Sequence, residues 1–534
     1  MHTGASDKKK DQMKIIVPVC VAVVTSIASG VVLARDVVVG GGVSVGYEFD
    51  DRQYKDDDEV SADREQSATE QQNAVDVELD DRNNRDEQYS RLRLSPLVTV
   101  TSSTERDEVE LRYSPSLWYD FEHSDNNVDQ DLFASLSRFI TRDWQAKLTD
   151  KYRLSDLIEN RYGDSVSTSQ TSEDGTATDT ATETTKNGTT ELSDTNNRRR
   201  YWTNDLELSS EYTYREDSMF LVGYKYGLLT NTDSENGGTY EDYDRHEILS
   251  ELGHRFDPVW KISVFGSYVR GLFEQVDFNN LLEDKAGDDE IINVDNDLKE
   301  YRGTTILQAD FYQHHSHTLE YSFYAVDFDA AENEDATIQD VTLGWRWNYS
   351  KNVSFGLGAG PSYTKTEDED GELGYNGRMS FSYAFERGYL DLSAKRGYEV
   401  LSFTGTDENG LREFWQSMLR INYKLLDNLS ADLYAGYREE DEEVVAQIVS
   451  AASEETAPTG SETTTADSVI ATESETINRK RYSTGLSLGY SFQQWYKLTL
   501  AYDYSKQDSE AIGDSFEEHR VALTLSYETE LLKW

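Results

Sequence analysis

The sequence predicts an all-β fold, a transmembrane antiparallel up-and-down β-barrel of about 18–20 strands with long acidic extracellular loops. Three observations predict it. Apolar and polar residues alternate over many short segments, which is the pattern of a strand with one dry and one wet face. The apolar faces are rich in Tyr, Trp and Phe, and the links between segments alternate between short and long. This combination is typical of barrels with short periplasmic turns and long outer loops.

About twenty segments carry the alternation, and each is bounded by turn-forming or acidic residues. The segment around Leu498, Leu500 and Tyr502 is typical, because Thr499 and Asp503 take the polar positions. In chain order the predicted strands are 37–49, 92–100, 109–121, 132–140, 144–154, 206–214, 220–228, 248–256, 262–273, 301–312, 319–328, 341–349, 353–363, 379–385, 390–403, 414–426, 429–437, 482–492, 498–504 and 521–527.

The links between these strands fix the predicted orientation. After even-numbered strands they are brief, as at 141–143, 257–258, 350–352, 387–388, 427–428 and 493–494. After odd-numbered strands they are mostly longer, and they include four acidic or Ser/Thr-rich inserts at about 50–85, 156–197, 276–298 and 439–478. We therefore expect one barrel domain over 35–534, with both termini in the periplasm and the inserts outside the cell.

The N-terminus has the pattern of a secretory signal peptide, predicted to span 1–34. Lys8, Lys9 and Lys10 precede an apolar stretch that ends at small Ala34. An uncleaved anchor is the alternative, because the apolar stretch is long for a signal. The one cysteine, Cys20, lies within this segment, so a cleaved chain would have no disulfides.

Composition excludes some functions. The formal charge of −51 disfavours binding to nucleic acid, because phosphates would be repelled. The sequence has no Gly-x-Ser-x-Gly elbow, phosphate loop or His-Glu-x-x-His motif, so we expect no enzyme, catalytic residue or cofactor. His314, His315 and His317 stand at a short turn without neighbouring carboxylates, so a metal site is not predicted there.

Alternation also assigns the two faces of each strand. Side chains expected to face lipid are Phe381, Tyr383, Phe385, Leu486, Leu488, Tyr490, Phe492, Val521, Leu523, Leu525 and Tyr527. A periplasmic aromatic belt is expected at Trp144, Trp260 and Trp495, and an outer belt at Trp202 and Trp415. Candidates for lining the lumen are Arg346, Asp391, Lys395, Arg420, Lys424, Asp432, Lys497 and Asp503. These residues either contact a polar solute or form ion pairs that hold the wall in shape.

Basic residues open several strands from the outer side and predict contacts with lipopolysaccharide phosphates. The candidates are Arg198, Arg199, Arg200, Arg479, Lys480 and Arg481, and neutralisation of nearby acidic loops is the alternative. The C-terminal residue, Trp534, is similar to the terminal aromatic that barrel-insertion machinery recognises.

From 37 to 534 the chain resembles the β-barrel porins of Gram-negative bacteria found with exopolysaccharide synthesis and export genes, the β-barrel porin 2-like family. The segments that carry the resemblance are VSVGYEFD at 43–50, YSPSL at 113–117 and the repeated Gly-Tyr and Ser-Tyr pairs. The resemblance implies a passive outer-membrane conduit linked to polysaccharide export, with lipid, lipopolysaccharide, the assembly machinery and export proteins as partners. A structural or adhesive barrel with a closed lumen and a porin sheath around an electron-transfer cytochrome are the alternatives.

Overall fold

The computed structural model describes residues 36–54, 87–155, 188–189, 200–231, 242–274, 297–329, 335–366, 371–403, 410–449, 470–510 and 515–533. The predicted signal peptide (1–34), the terminal Trp534 and the greater part of the four predicted inserts lie outside these ranges. Within the described part of the chain, no helix is long and apolar enough to cross a membrane.

Every described element is a strand. The strands are β1 (Asp36–Tyr54), β2 (Glu87–Ser103), β3 (Asp107–Asp120), β4 (Asp125–Thr141), β5 (Trp144–Ser155), β6 (Gly188–Thr189), β7 (Tyr201–Arg215), β8 (Ser218–Asn231), β9 (Tyr243–Arg255), β10 (Trp260–Phe273), β11 (Leu298–Tyr312), β12 (His315–Phe328), β13 (Ala336–Ser350), β14 (Val353–Thr366), β15 (Glu372–Phe385), β16 (Gly388–Leu401), β17 (Gly410–Leu426), β18 (Leu429–Val449), β19 (Ile470–Phe492), β20 (Tyr496–Ser509) and β21 (Phe516–Lys533).

The strands form one closed antiparallel barrel. In the described ranges, each of twenty strands pairs with its neighbour in the chain, and the two-residue β6 is the exception. Closure occurs between β1 and β21, which pair from Val38–Lys533 to Tyr54–Phe516. Closure satisfies the backbone groups that an edge strand would leave bare. The predicted fold class is thereby confirmed.

Short and long links alternate around this barrel, as predicted. The turns at one end are at most a few residues long, such as 216–217 between β7 and β8 and 493–495 between β19 and β20. In both turns a non-glycine residue, Asp217 or Gln493, takes a left-handed backbone conformation with φ of 54° and 56°. The links at the other end are mostly longer and include all the predicted inserts. We call these the short-turn end and the long-loop end.

The fourth predicted insert is shorter than expected. Residues 439–449 and 470–478, which the sequence assigns to the insert 439–478, continue β18 and β19 as one paired hairpin. The 23 residues of β19 span roughly 75 Å, whereas about 9–11 residues cross a membrane. Beyond the membrane both faces of a strand are wet, so apolar alternation stops while backbone pairing continues. The end of β1 extends similarly into the predicted insert 50–85, as far as Tyr54.

Candidate functional site: a charged lumen with an inward strand end

The outer surface of the barrel is apolar. Alternate side chains of each strand are large, hydrophobic and exposed, and Leu343 of β13 is 66% exposed. Members of this surface include Val45, Leu94, Leu208, Ile248, Tyr321, Leu357, Tyr383, Leu486, Tyr490, Val521, Leu523 and Leu525. A soluble protein does not expose so continuous an apolar band. This surface is that of a barrel that spans a membrane.

Aromatic residues cluster on this surface at the short-turn end. Trp144 and Trp260 begin strands there, and Trp495 lies in a turn. The rings of His315, Trp345 and Trp347 lie nearly parallel to one another, with their three centroids 5.9–6.1 Å apart. Indole rings of this kind occupy the interface between lipid and water. Trp345 and Trp347 were not predicted as belt residues, although the sequence places them beside the 351–352 turn.

The histidines at this turn therefore act as aromatic neighbours. Trp345 Nε1 donates a hydrogen bond to His315 Nδ1 at 3.1 Å, and His317 packs against Phe311. In the ranges that the structure describes, no group of His, Cys, Asp and Glu side chains has the arrangement of a metal site.

At the long-loop end, Trp202 is the second residue of β7, and Trp415 lies near the outer end of β17. Trp415 packs on Tyr437, which packs on Tyr482, with ring centroids 5.5 and 5.1 Å apart. We call Trp202, Trp415, Tyr437 and Tyr482 the outer belt.

The register places all eight predicted lumen residues on the inward face. Asp391 is directly opposite Arg420, Lys395 is opposite Gln416, and Asp503 is opposite Arg520. Arg346, Lys424, Asp432 and Lys497 share the same strand parity as these residues, one position removed from the exposed apolar side chains. Whether they contact a solute stays a prediction.

Many inward side chains bond to one another across neighbouring strands. Asn422 Nδ2 donates to Asp432 at 2.5 Å, and Tyr434 Oη donates to Asp503 at 2.9 Å. Across the closing seam, Arg520 pairs with Glu48 at 2.6 Å. The inward wall is therefore polar and carries both signs of charge, as the sequence predicts.

The densest group of charges lies beyond the outer belt. Arg438 pairs with Glu399 and Glu440, Arg412 pairs with Glu440 and with Glu442 at 3.0 Å, and Arg479 pairs with Glu442. We call Glu399, Arg412, Arg438, Glu440, Glu442 and Arg479 the charge ladder, and each member is buried. Every second residue of each strand points inward, so inward side chains of neighbouring strands meet. The ladder joins four strands in this way, β16 to β19.

Burial acts to raise the pKa of the Glu440 carboxyl, but the guanidinium groups of Arg412 and Arg438 outweigh it and lower the pKa to about 2. The ladder therefore stays ionised at neutral pH. Buried charges paired in this way are costly to break, because removing one partner leaves the other unpaired in a poorly hydrated place.

The orientation of the basic residues in and beside the charge ladder corrects part of the predicted contact with lipopolysaccharide. Arg479 belongs to the ladder, and Arg481 faces the same way and donates to Gln507 at 2.9 Å. Only Lys480 of this trio faces outward, where it lies 3.4 Å from Glu439. Successive residues of a strand point to opposite faces, so three in a row cannot share one face. Arg200 donates to the Val128 carbonyl at 2.8 Å, and Arg198 and Arg199 lie outside the described residues.

The outer end of β16 separates from β15 and turns into the barrel, while its pairing with β17 continues to Leu401–Gly410. We call residues 397–403 the lumen segment. Val400 and Phe403 are fully buried against inward-facing Val269, Tyr324 and Ile338, which belong to β10, β12 and β13. β16 is six strands away from β10 around the wall, so these contacts are made across the interior. β6 pairs in parallel with Val400 and Leu401 of this segment.

Aromatic contacts hold the tip of the lumen segment. The ring of Phe403 stacks on Phe273 with centroids 5.6 Å apart, and it meets Tyr243 edge-on at 5.1 Å. The guanidinium of Arg245 lies 5.1 Å from the centroid of the same ring. Gly271 permits this approach, because a Cβ there would lie 2.9 Å from Phe403.

Hydrogen bonds add to this anchor. Ser402 Oγ donates to Glu300 Oε1 at 2.5 Å, and Tyr324 Oη donates to the same oxygen at 2.9 Å. Arg302 pairs with the other oxygen of Glu300. Glu300 is completely buried and its carboxylate has a partner at each oxygen, so the hydrogen-bonding capacity of this buried group is satisfied. The lumen segment therefore narrows the interior near the long-loop end.

No protein-family model and no curated protein matches this chain. Among solved structures the chain is similar to the siderophore receptor PirA from Pseudomonas aeruginosa, with TM-score 0.44, 10% identity, and 92% of this chain and 80% of that chain covered. It is similar to OpdQ from Pseudomonas aeruginosa, with TM-score 0.38, 8% identity, and coverage of 92% and 98%. For OccAB4 from Acinetobacter baumannii the TM-score is 0.39, the identity 10%, and the coverage 92% and 98%. At these values, the assignment of the lumen rests on this chain's own residues.

Proposed function

We propose that this protein is a passive conduit for a polar solute in the outer membrane of a Gram-negative bacterium. The observation that carries the proposal is the closed barrel whose inward face is polar and whose outward face is apolar. A barrel of this strand number encloses a lumen that side chains alone do not fill. The inward charges are mixed in sign, which suits a polar solute and disfavours strong selection for one ion.

The solute we favour is an extracellular polysaccharide in export. The support is the sequence resemblance described above, together with a wall of hydroxyl, amide and charged groups that offers many weak contacts to sugars. Partners would be outer-membrane lipid, lipopolysaccharide, the barrel-assembly machinery and polysaccharide-export proteins. Among the described basic residues, Lys480 is the one we retain for contact with lipopolysaccharide, because it faces outward beside the outer belt.

Planar-bilayer recording on the full chain tests the conduit. We expect discrete conductance steps, and these steps should remain when the two salt solutions are exchanged between the chambers. The channel should show only a weak preference for cations or for anions. Addition of a purified exopolysaccharide to one side should block the current reversibly. Silent bilayers, with inserted protein shown to be folded by its heat-sensitive migration on gels, would exclude the conduit.

A structural barrel with a closed lumen is the second candidate, and the lumen segment favours it. Its residues are buried and bonded to the opposite wall, as in a permanent closure. In that case the bilayer stays silent and cells lacking the protein lose surface attachment. The cytochrome sheath is the least favoured, because the lumen segment occupies interior space that such a partner needs. Absence of a haem absorption band in protein purified from its native membrane would remove it.

A further inference from the structure

The barrel wall separates between β15 and β16. Backbone pairing runs from Phe385–Gly388 to Gly377–Arg396 and then ends. β15 nevertheless extends five residues further, to Glu372, and β16 five residues further, to Leu401. The separation arises because the lumen segment turns inside the wall that β15 continues.

Side chains bridge the separated strands. Arg396 Nη1 donates to the carbonyl oxygen of Tyr375 at 2.7 Å, and its guanidinium lies 3.6 Å from the centroid of that ring. The Tyr398 hydroxyl lies over Gly374, where a Cβ would come within 2.2 Å of it. Side chains change rotamer far more readily than a strand ladder breaks, so this part of the wall is the easier part to open.

A cavity of about 570 Å³ lies at this separation. Lys395, Arg378 and Phe414 line it from the inward face, and Leu357, Met379 and Ala394 line it from the outward face. The lining therefore combines residues of both strand parities at the point where the β15–β16 pairing ends. Its size falls within the range of about 300–1,000 Å³ that small-molecule sites have. Trp415 of the outer belt is also part of its lining, which sets its depth near the outer lipid headgroups.

The inward mouth of the cavity is positive. Arg378 and Lys395 are directly opposite each other, an unfavourable pairing of like charges. Arg378 turns away to Glu320, at 2.7 Å. The Lys395 ammonium lies 5.0 Å from the Phe414 centroid, and among the described residues no carboxylate lies within ion-pair distance of it.

The three acidic residues of the cavity lining have the outward strand parity, so they lie on the opposite face of the wall from Lys395, and each has a partner of its own. Glu413 pairs with Arg396, Glu439 lies 3.4 Å from Lys480, and Asp441 accepts a hydrogen bond from Asn478 at 2.6 Å.

We propose that this cavity, which we call the wall cavity, binds an anionic amphiphile. Its acidic head lies toward Lys395 and its acyl chain extends between Leu357, Met379 and Ala394 toward the lipid. Leu357, Met379 and Ala394 give the outward side of the cavity an apolar patch, and Lys395 gives the inward side a positive charge, so a molecule with an acyl chain and an acidic head is complementary to both. The proposal does not depend on whether the lumen conducts.

Photolabelling of the full chain in nanodiscs with palmitate that carries a diazirine on its chain tests the site. Mass spectrometry should find the label on peptides from β15 to β17. Filling the cavity by Ala394→Trp should reduce labelling there by about tenfold. Ala435→Trp is the matched control, because Ala435 also faces outward and lies outside the cavity, and its labelling at β15–β17 should be unchanged.

The charge is tested separately. Lys395→Gln should reduce palmitate labelling by about tenfold, as expected for loss of a charge-assisted contact, and Lys497→Gln elsewhere on the inward wall should not. The corresponding diazirine alcohol should label the unaltered chain as weakly as palmitate labels Lys395→Gln. Equal labelling of Ala394→Trp and the unaltered chain, or equal labelling by alcohol and palmitate, overturns the proposal.

Discussion

Single residues decide how the lumen is built. Alternation assigns each side chain to lipid or water, and this is why the inward strand parity of the eight lumen candidates could be predicted from the sequence, while their contact with a solute stays a prediction. The same rule places Arg479 and Arg481 on one face and Lys480 on the other, and the prediction of a shared lipopolysaccharide contact did not apply it. A basic cluster suggests one shared contact, but successive residues of a strand face opposite ways. Ion-pair partners such as Glu442 with Arg412 could not be read at all, because they depend on the register between strands.

Arg412→Ala should destabilise the barrel strongly. It removes the central cation of the charge ladder and leaves Glu440 and Glu442 buried with fewer partners. Breaking such a pair costs about 3–5 kcal/mol in the free energy of unfolding. Urea unfolding in lipid vesicles, followed by tryptophan fluorescence, measures the change.

The control is Lys480→Ala, which breaks the exposed pair with Glu439 and should change the same free energy by about 0–1 kcal/mol. If both substitutions have equally small effects, the ladder is not a source of stability.

At the scale of elements, all twenty barrel strands could be predicted, because a membrane on one side and water on the other impose period two. The predictions failed where that contrast ends. Beyond the outer belt, β18 carries acidic residues on both faces, with Glu439 and Asp441 on one and Glu440 and Glu442 on the other, and only backbone pairing marks this stretch as a strand. The inward turn of β16 after Arg396 also left no local pattern, because its cause is the contact of Phe403 with Phe273 on β10.

The charge ladder should tolerate mild acid. In the folded protein the pKa of Glu440 is lowered from 4.5 to about 2, so its contribution to stability is complete above about pH 4.5 and is lost as pH falls toward 2. The difference in unfolding free energy between the unaltered chain and Arg412→Ala should therefore stay constant from pH 8 to about pH 5. It should shrink between about pH 4 and pH 2. A difference that already declines between pH 8 and pH 6 would contradict the lowered pKa.

The whole molecule combines a wide barrel with an obstruction made from its own wall. Its closed shape follows from strand number and pairing, which the sequence pattern supplies. The inner diameter does not follow from strand number and pairing. The lumen segment sets this diameter through contacts between residues more than a hundred positions apart, such as Ser402 and Glu300. Long-range contacts of this kind leave no periodic signal in a single sequence.

Phe403→Ala should widen the conduit. It removes the ring that packs on Phe273 and Tyr243 and costs about 3–5 kcal/mol of local packing, enough to release the lumen segment. Single-channel conductance in planar bilayers should rise at least about twofold, since a narrow constriction dominates the resistance of a pore.

Phe492→Ala is the control, because Phe492 faces lipid and its loss should leave the conductance unchanged. Folded Phe403→Ala protein with the same conductance as the unaltered chain would show that the lumen segment does not limit flow.

The seam between β1 and β21 has a consequence for biogenesis. The first strand finds its second partner only when the eighteen residues of β21 have been supplied. Until then both borders of the growing sheet expose unpaired amides, which invite association with other polypeptides. Sequence-distant pairings of this kind form slowly. A premature stop codon within β21 should therefore yield aggregation or degradation, and not a smaller pore.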